Sequence, residues 1–179
     1  PYVKAMKVAS FEANDRAFLD ANRATGKPLI VSVGMMSDDR VHQFINDQVG
    51  TDADTLLVCT SAYPCPIESA GLRFLSELNM QYQIWPRMRF GYSDHTAHWL
   101  TGALAVAAGA EVIETHVRLH DTDPKNPDYA PALQLMLNGG YSRYVEMVRH
   151  AERAMGDGRK VDGAENPAEK DMAQYRVRS

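Results

Sequence analysis

Short apolar runs alternate along this chain with longer stretches in which apolar residues return every three or four positions. The runs cover residues 5–10, 29–33, 55–60, 88–93 and 111–115, each of strand length. Between them, residues 14–25, 38–49, 67–78 and 98–108 carry helical spacing, with Asn14 and Ser37 placed as N-caps. This order predicts consecutive βα units, an α/β fold with parallel strands and outer helices. A further helix is predicted over residues 141–155, where Val145, Val148 and Glu152 keep the helical period. A closed (β/α)8 barrel needs eight strands in roughly 250 residues. Five runs in 179 residues predict either an open sheet or part of a barrel.

The polar residues in these units gather at the carboxyl ends of the runs. Lys7, Ser10 and Glu12 mark the first, Ser32 the second, Thr60 and Ser61 the third, Ser93 and His95 the fourth, and Glu114 and His116 the fifth. Ligands bind at that end of parallel α/β sheets, because βα loops and helix N-termini converge there. Taken singly, each of these residues also reads as an ordinary strand-end or turn residue. A long irregular segment rich in Asp, Pro and Asn, residues 118–131, has the character of an active-site loop.

Composition narrows the class. A hydrophobic fraction of 45% in 179 residues can bury one sizeable core. A net charge of −4, from 19 basic and 23 acidic residues, leaves no basic stripe for nucleic acid and points to a small-molecule ligand. Cys59 and Cys65 make neither a disulfide framework nor a zinc spacing, which predicts a reducing compartment. Residues 100–113 are the most apolar stretch, shorter than the ~20 residues of a membrane helix and broken by Gly102, Gly109 and Glu111. The chain opens at Pro1 with no charged-then-apolar leader, so the expectation is no signal peptide and a truncated chain.

Two histidines end neighbouring runs, and each has a polar residue two positions earlier, Ser93 before His95 and Glu114 before His116. By the two-residue strand period each pair shares a face. Two imidazoles with substrate and water oxygens suit a Lewis-acid transition metal, and the polar neighbours would orient them. Buried histidines satisfied by hydrogen bonds are the competing reading. His42, His98, His120 and His150 lack this placement and read as surface or helix residues. Lys7 inside a strand is costly unless it meets an anion, either a bound phosphate or carboxylate, or Glu12 or Glu114. Glu12, expected on the face of Ser10, is the best-placed general acid or base.

The segments Lys7-Val8-Ala9-Ser10-Phe11-Glu12-Ala13-Asn14-Asp15, Lys27-Pro28-Leu29-Ile30-Val31-Ser32-Val33-Gly34-Met35, Cys59-Thr60-Ser61-Ala62-Tyr63-Pro64, Gly91-Tyr92-Ser93-Asp94-His95-Thr96 and Ile113-Glu114-Thr115-His116 resemble, in order and spacing, the sialic acid synthase family. The resemblance covers nearly the whole chain and implies a partial (β/α)8 TIM barrel, about strands four to eight. Residues 1–155 would be the C-terminal part of the barrel, and residues 156–179 a linker toward a small antifreeze-like domain. The implied reaction condenses phosphoenolpyruvate with an open-chain N-acetylated amino sugar to give a nonulosonic acid and phosphate. His95 and His116 would hold a divalent metal, manganese first and magnesium or cobalt as alternatives. Lys7, Ser10, Ser32, Ser61 and Ser93 would bind phosphoenolpyruvate. Glu12 would be the acid/base, and Tyr63 and Asp128 would contact the sugar. The resemblance further implies a cytoplasmic homodimer with neither nucleic-acid nor membrane partners.

The sugar is a finer matter. Ser10-Phe11-Glu12 followed by Asn14-Asp15, Ser61-Ala62-Tyr63-Pro64, and residues 151–158 look most similar to pseudaminic acid synthases, with N-acetylneuraminate and legionaminate synthases as alternatives. Val33, Thr115 and Ala132 depart from the residues usual in the family at their positions. By the same resemblance, further ligands would come from strands and a domain outside this chain, so little or no turnover is expected of it alone. A different metal-dependent barrel lyase or aldolase, and a non-catalytic anion-binding remnant, remain alternative readings of the same residues.

Overall fold

The structure is a computed structural model that describes residues 2–48, 54–82, 88–127, 129–134, 140–159, 165–172 and 175. Five parallel strands, β1 (Met6–Val8), β2 (Leu29–Ser32), β3 (Thr55–Val58), β4 (Arg89–Asp94) and β5 (Val112–Thr115), form one sheet in chain order. In register, Lys7 faces Ile30, Ser32 faces Leu57, Leu57 faces Gly91, and Ser93 faces Glu114. Helices α1 (Arg16–Arg23), α2 (Asp38–Gln48), α3 (Leu72–Gln81) and α4 (Thr101–Ala107) connect successive strands, and α5 (Gly140–Met155) follows. Two short strands, β6 (Val117–Arg118) and β7 (Leu133–Gln134), pair in parallel and bracket the irregular segment after β5.

The two-residue strand period divides the sheet into a packing face and a chemical face. Val8, Leu29, Val31, Leu56, Val58, Phe90 and Tyr92 share one apolar cluster with Leu19, Val41, Ile45, Leu75 and Leu78 of the helices. The alternate positions Lys7, Ser32, Ser93 and Glu114 line a cavity on the other face. Lys7 of β1 comes within 3.5 Å of Glu114 of β5, although β1 and β5 do not pair. The sheet therefore curls, as part of a barrel does. At the opposite end of the strands, Asp54 receives the Arg23 guanidinium (2.9 Å) and the Leu29 amide (2.9 Å), tying α1, β2 and β3 together.

Some boundaries differ from the sequence expectation. β1 ends at Val8, and residues 10–14 are turn rather than strand. The cap of α1 is Asp15, whose side chain accepts from the Phe18 amide at 3.0 Å, not Asn14. The stretch expected as one helix over residues 67–78 splits into a single 3-10 turn (Ile67–Ser69) and α3. Gly71, at φ 72°, makes the left-handed break between them. α4 begins only at Thr101, because residues 96–100 are held in a turn.

β1 bonds to β2 alone and β5 to β4 alone, so both outer edges are open among the described residues. Unpaired edges template further pairing. This chain alone is expected to self-associate, and light scattering that showed a stable monomer would contradict the expectation.

Candidate active site

A cavity of about 290 Å³ opens on the chemical face at the carboxyl ends of the strands. Its wall comprises Lys7 of β1 with Ala9 and Ser10 just after it, Ser32 of β2, Tyr63 after β3, Ser93 of β4 with His95 just after it, and Glu114 and Thr115 of β5 with His116 just after it. Residues from five separate strand ends thus meet in one place.

Lys7 holds the centre of the polar wall. Its Nζ donates to Ser32 Oγ at 3.0 Å and lies 3.5 Å from Glu114 Oε2. Glu114 Oε1 in turn accepts from Ser93 Oγ at 2.7 Å. Ser32, Lys7, Glu114 and Ser93 thus form a chain across four strands, in which Lys7 is paired to Glu114 and faces the cavity.

His95 is 4% exposed. Its Nδ1 lies 2.8 Å from the Thr60 carbonyl oxygen, which can only accept, so Nδ1 carries the proton. Nε2, 3.3 Å from Ser93 Oγ, keeps its lone pair. Burial holds the His95 pKa below the ordinary 6.5, with His116 acting in the same direction against the Thr60 carbonyl, Glu114 and Asp94. The ring is therefore neutral at neutral pH. Between the lowered value and 6.5 the unfolded chain takes up a proton that the folded chain does not, so acidification through that window costs stability. His95→Asn is expected to flatten this dependence, read from urea midpoints at about pH 7.5 and about pH 5.5. An unchanged slope would contradict the assignment.

The His95 and His116 rings stand 5.3 Å apart between centroids, and the Tyr63 ring lies 4.4 Å from the first and 5.8 Å from the second. Two neighbouring imidazoles, one fixed with Nε2 unprotonated, fit part of a transition-metal donor set. Among the described residues no cluster of three or more His, Cys, Asp or Glu could hold an ion. Remaining coordination positions would fall to substrate and water oxygens, as a Lewis-acid site requires.

Ser10, 4% exposed, accepts from the Gly34 amide at 3.0 Å and lies 3.3 Å from Cys59 Sγ. Ser61 Oγ is buried without a hydrogen-bond partner. A Cβ on Gly34 would overlap Ser61 Oγ and stand 2.8 Å from Ser10 Oγ, so the glycine lets the two hydroxyls approach each other. Ser61 itself does not line the cavity. Nor does Glu12, half-buried in the turn after β1. The strand period that would have placed it beside Ser10 ends at Val8. Asp128 lies outside the described residues. Of the other histidines, His42 bonds Tyr82 (2.9 Å), His98 accepts from the Leu100 amide, and His150 sits near Glu146 on α5, all outside the cavity. Sequence reading missed the Thr60 carbonyl that orients His95, because a backbone acceptor leaves no mark in residue type.

Comparison with known proteins gives one consistent result. The model of the NeuB family matches residues 1–160. A pseudaminic acid synthase of Campylobacter jejuni is 35% identical over 158 residues, covering 87% of this chain and 43% of that protein. An N-acetylneuraminate-9-phosphate synthase of Mus musculus is 34% identical over 155 residues, covering 86% and 41%. The chain thus spans less than half the length of these relatives. The crystal structure of an N-acetylneuraminic acid (sialic acid) synthetase from Leptospira borgpetersenii, in complex with citrate, superposes with a TM-score of 0.74 at 25% identity. It covers 98% of this chain and 58% of that one. The five-stranded curl is accordingly part of a TIM barrel.

Proposed function

Since the chain belongs to the NeuB family of nonulosonic acid synthases, we propose that its cavity binds phosphoenolpyruvate and an open-chain N-acetylated amino sugar for condensation to a nonulosonic acid, with release of phosphate. One observation carries this reading: a lysine, three serines and two histidines from separate strand ends line a single cavity of about 290 Å³. That volume suits a compact anion together with the reacting end of a second molecule.

Lys7, with its ammonium aimed into the cavity, binds the phosphate or carboxylate of phosphoenolpyruvate by charge-assisted hydrogen bonds. Ser10 and Ser32 supply hydroxyl donors around it, Ser93 lines the same wall with its hydroxyl given to Glu114, and Ser61 stands across Gly34 from Ser10. His95 and His116 hold a divalent ion, manganese favoured, whose chemistry is to withdraw charge from the sugar aldehyde. Tyr63, packed on both imidazoles, fences the sugar side, and Asp128 contacts the sugar. Water must add beside the new carbon–carbon bond before phosphate leaves, and a carboxylate has to move those protons. Glu12, in the turn that follows β1 beside Ser10, is the carboxylate assigned that role.

The Ser10-Phe11-Glu12 and Ser61-Ala62-Tyr63-Pro64 segments favour the pseudaminate precursor, a 2,4-diacetamido-trideoxy-altrose. A cytoplasmic homodimer of the complete polypeptide accompanies this reading, and no helix among the described residues is long and apolar enough to cross a membrane. The test incubates a complete polypeptide containing this chain with Mn2+, phosphoenolpyruvate and each of three candidate sugars, with mass spectrometry of the products. A nonulosonic acid from the altrose derivative is expected. Absence of any nine-carbon acid, or cleavage products in its place, would overturn the proposal in favour of a lyase or a non-catalytic binder.

A further inference from the structure

Behind the cavity wall, Asp94 ends β4 with its side chain 1% exposed. Oδ1 accepts from the Thr96 amide (2.9 Å) and the Thr96 hydroxyl (2.7 Å), and Oδ2 accepts from the Thr101 hydroxyl and from the Tyr144 hydroxyl (2.8 Å). Among the described residues no lysine or arginine forms an ion pair with it. A buried carboxylate held by neutral donors alone is a costly way to fill space, and apolar residues of the same volume would pack at least as well.

The arrangement is also specifically accommodated. Tyr144 is 2% exposed and belongs to α5, 50 residues along the chain. Its ring lies against α4 at Gly102, where a Cβ would overlap the ring and stand 2.6 Å from the hydroxyl oxygen. Only a glycine there lets the Tyr144 hydroxyl reach Asp94. The Asp94–Thr96 bonds then close a short turn with His95 at its centre, and the His95 carbonyl accepts from the Cys65 amide at 2.8 Å. The backbone of His95 is thus fixed from both sides, which leaves its ring one way to set Nδ1 on Thr60 and Nε2 toward the cavity.

We propose that Asp94 and Tyr144 are positioning residues that hold His95 in its cavity-facing tautomer and orientation, so that α5 is coupled to the reaction site. The inference rests on the reading of His95 as a working residue of that cavity. Tyr144→Phe removes one donor and keeps the ring on Gly102, Thr101→Val removes another at constant shape, and Tyr141→Phe on the same helix is the control. Imidazole 15N spectra of the metal-free protein read the His95 tautomer directly, and Co2+ absorption titration reads the pair as ligands.

Tyr144→Phe and Thr101→Val are expected to turn the single Nδ1–H form of His95 into a mixture and to weaken Co2+ about tenfold. Tyr141→Phe should do neither. Unchanged His95 spectra in both variants would overturn the proposal, even if they melt lower, since a purely structural role moves stability alone. Should the unaltered protein bind no Co2+, the metal reading fails, while the tautomer measurement still decides the role of Asp94 and Tyr144.

Discussion

His116→Ala is expected to lower product formation by at least about a thousandfold while leaving the fold intact. His116 lies at the mouth of the cavity, half-buried, beyond the end of β5 and outside the apolar cluster between sheet and helices. Removing it deletes one of two imidazoles facing the reacting aldehyde without opening a hole in the core. His95→Ala is the less clean experiment. His95 is almost wholly buried, bonds the Thr60 carbonyl and packs against the Tyr63 ring, so its truncation leaves a hole in the wall and costs stability in its own right. The discriminating comparison is turnover of the complete polypeptide with Mn2+ set beside thermal melting of the same variant. Retained turnover in His116→Ala would remove the histidine pair from the mechanism. Lost turnover with a collapsed melting transition would make His116 structural.

The second large effect concerns the backbone that brings the two histidines together. Gly91 sits on the chemical face of β4, opposite Val112 in β5 and Leu57 in β3. A Cβ there would overlap the Val112 carbonyl oxygen and stand 2.6 Å from Leu57 Cδ2. The first obstacle is backbone and cannot turn aside, so Gly91→Ala must push β5 away from β4. His95 and His116 hang from the ends of those two strands and move apart with them. A destabilisation of about 3 kcal/mol follows from overpacking of this kind, or roughly 6–12 °C in melting temperature for a chain of this size. Activity should fall further than the melting shift alone explains. Gly91→Ala with native stability and native metal affinity would contradict the account of the sheet.

Much of this architecture is legible in the sequence, for a physical reason. A strand buried on one face and chemically occupied on the other must carry apolar residues at one parity and polar residues at the other. Val8 beside Lys7, Val31 beside Ser32, and Tyr92 beside Ser93 show that split before any coordinates are known. The helices follow from their spacing, within a few residues at each end. What misled was the assumption that a period persists past its element: β1 stops at Val8, so Glu12 does not share the wall with Ser10. Gly71 splits a stretch that reads as one helix, because a left-handed residue interrupts the backbone without disturbing the apolar spacing. Contacts between distant segments were legible only where the chemistry of a residue calls for a partner, as Lys7 calls for Glu114. Nothing in residue type announces that Tyr144 reaches Asp94, or that the partner of His95 is the backbone of Thr60.

Calorimetric titration of phosphoenolpyruvate into this chain in the presence of Mn2+, with and without Lys7→Met, reads whether the cavity beside Lys7 takes up that anion. The cavity account predicts a single saturable site in the unaltered chain, weakened at least about tenfold by loss of the Lys7 ammonium. Absence of binding, or equal binding by the Lys7→Met variant, would contradict it.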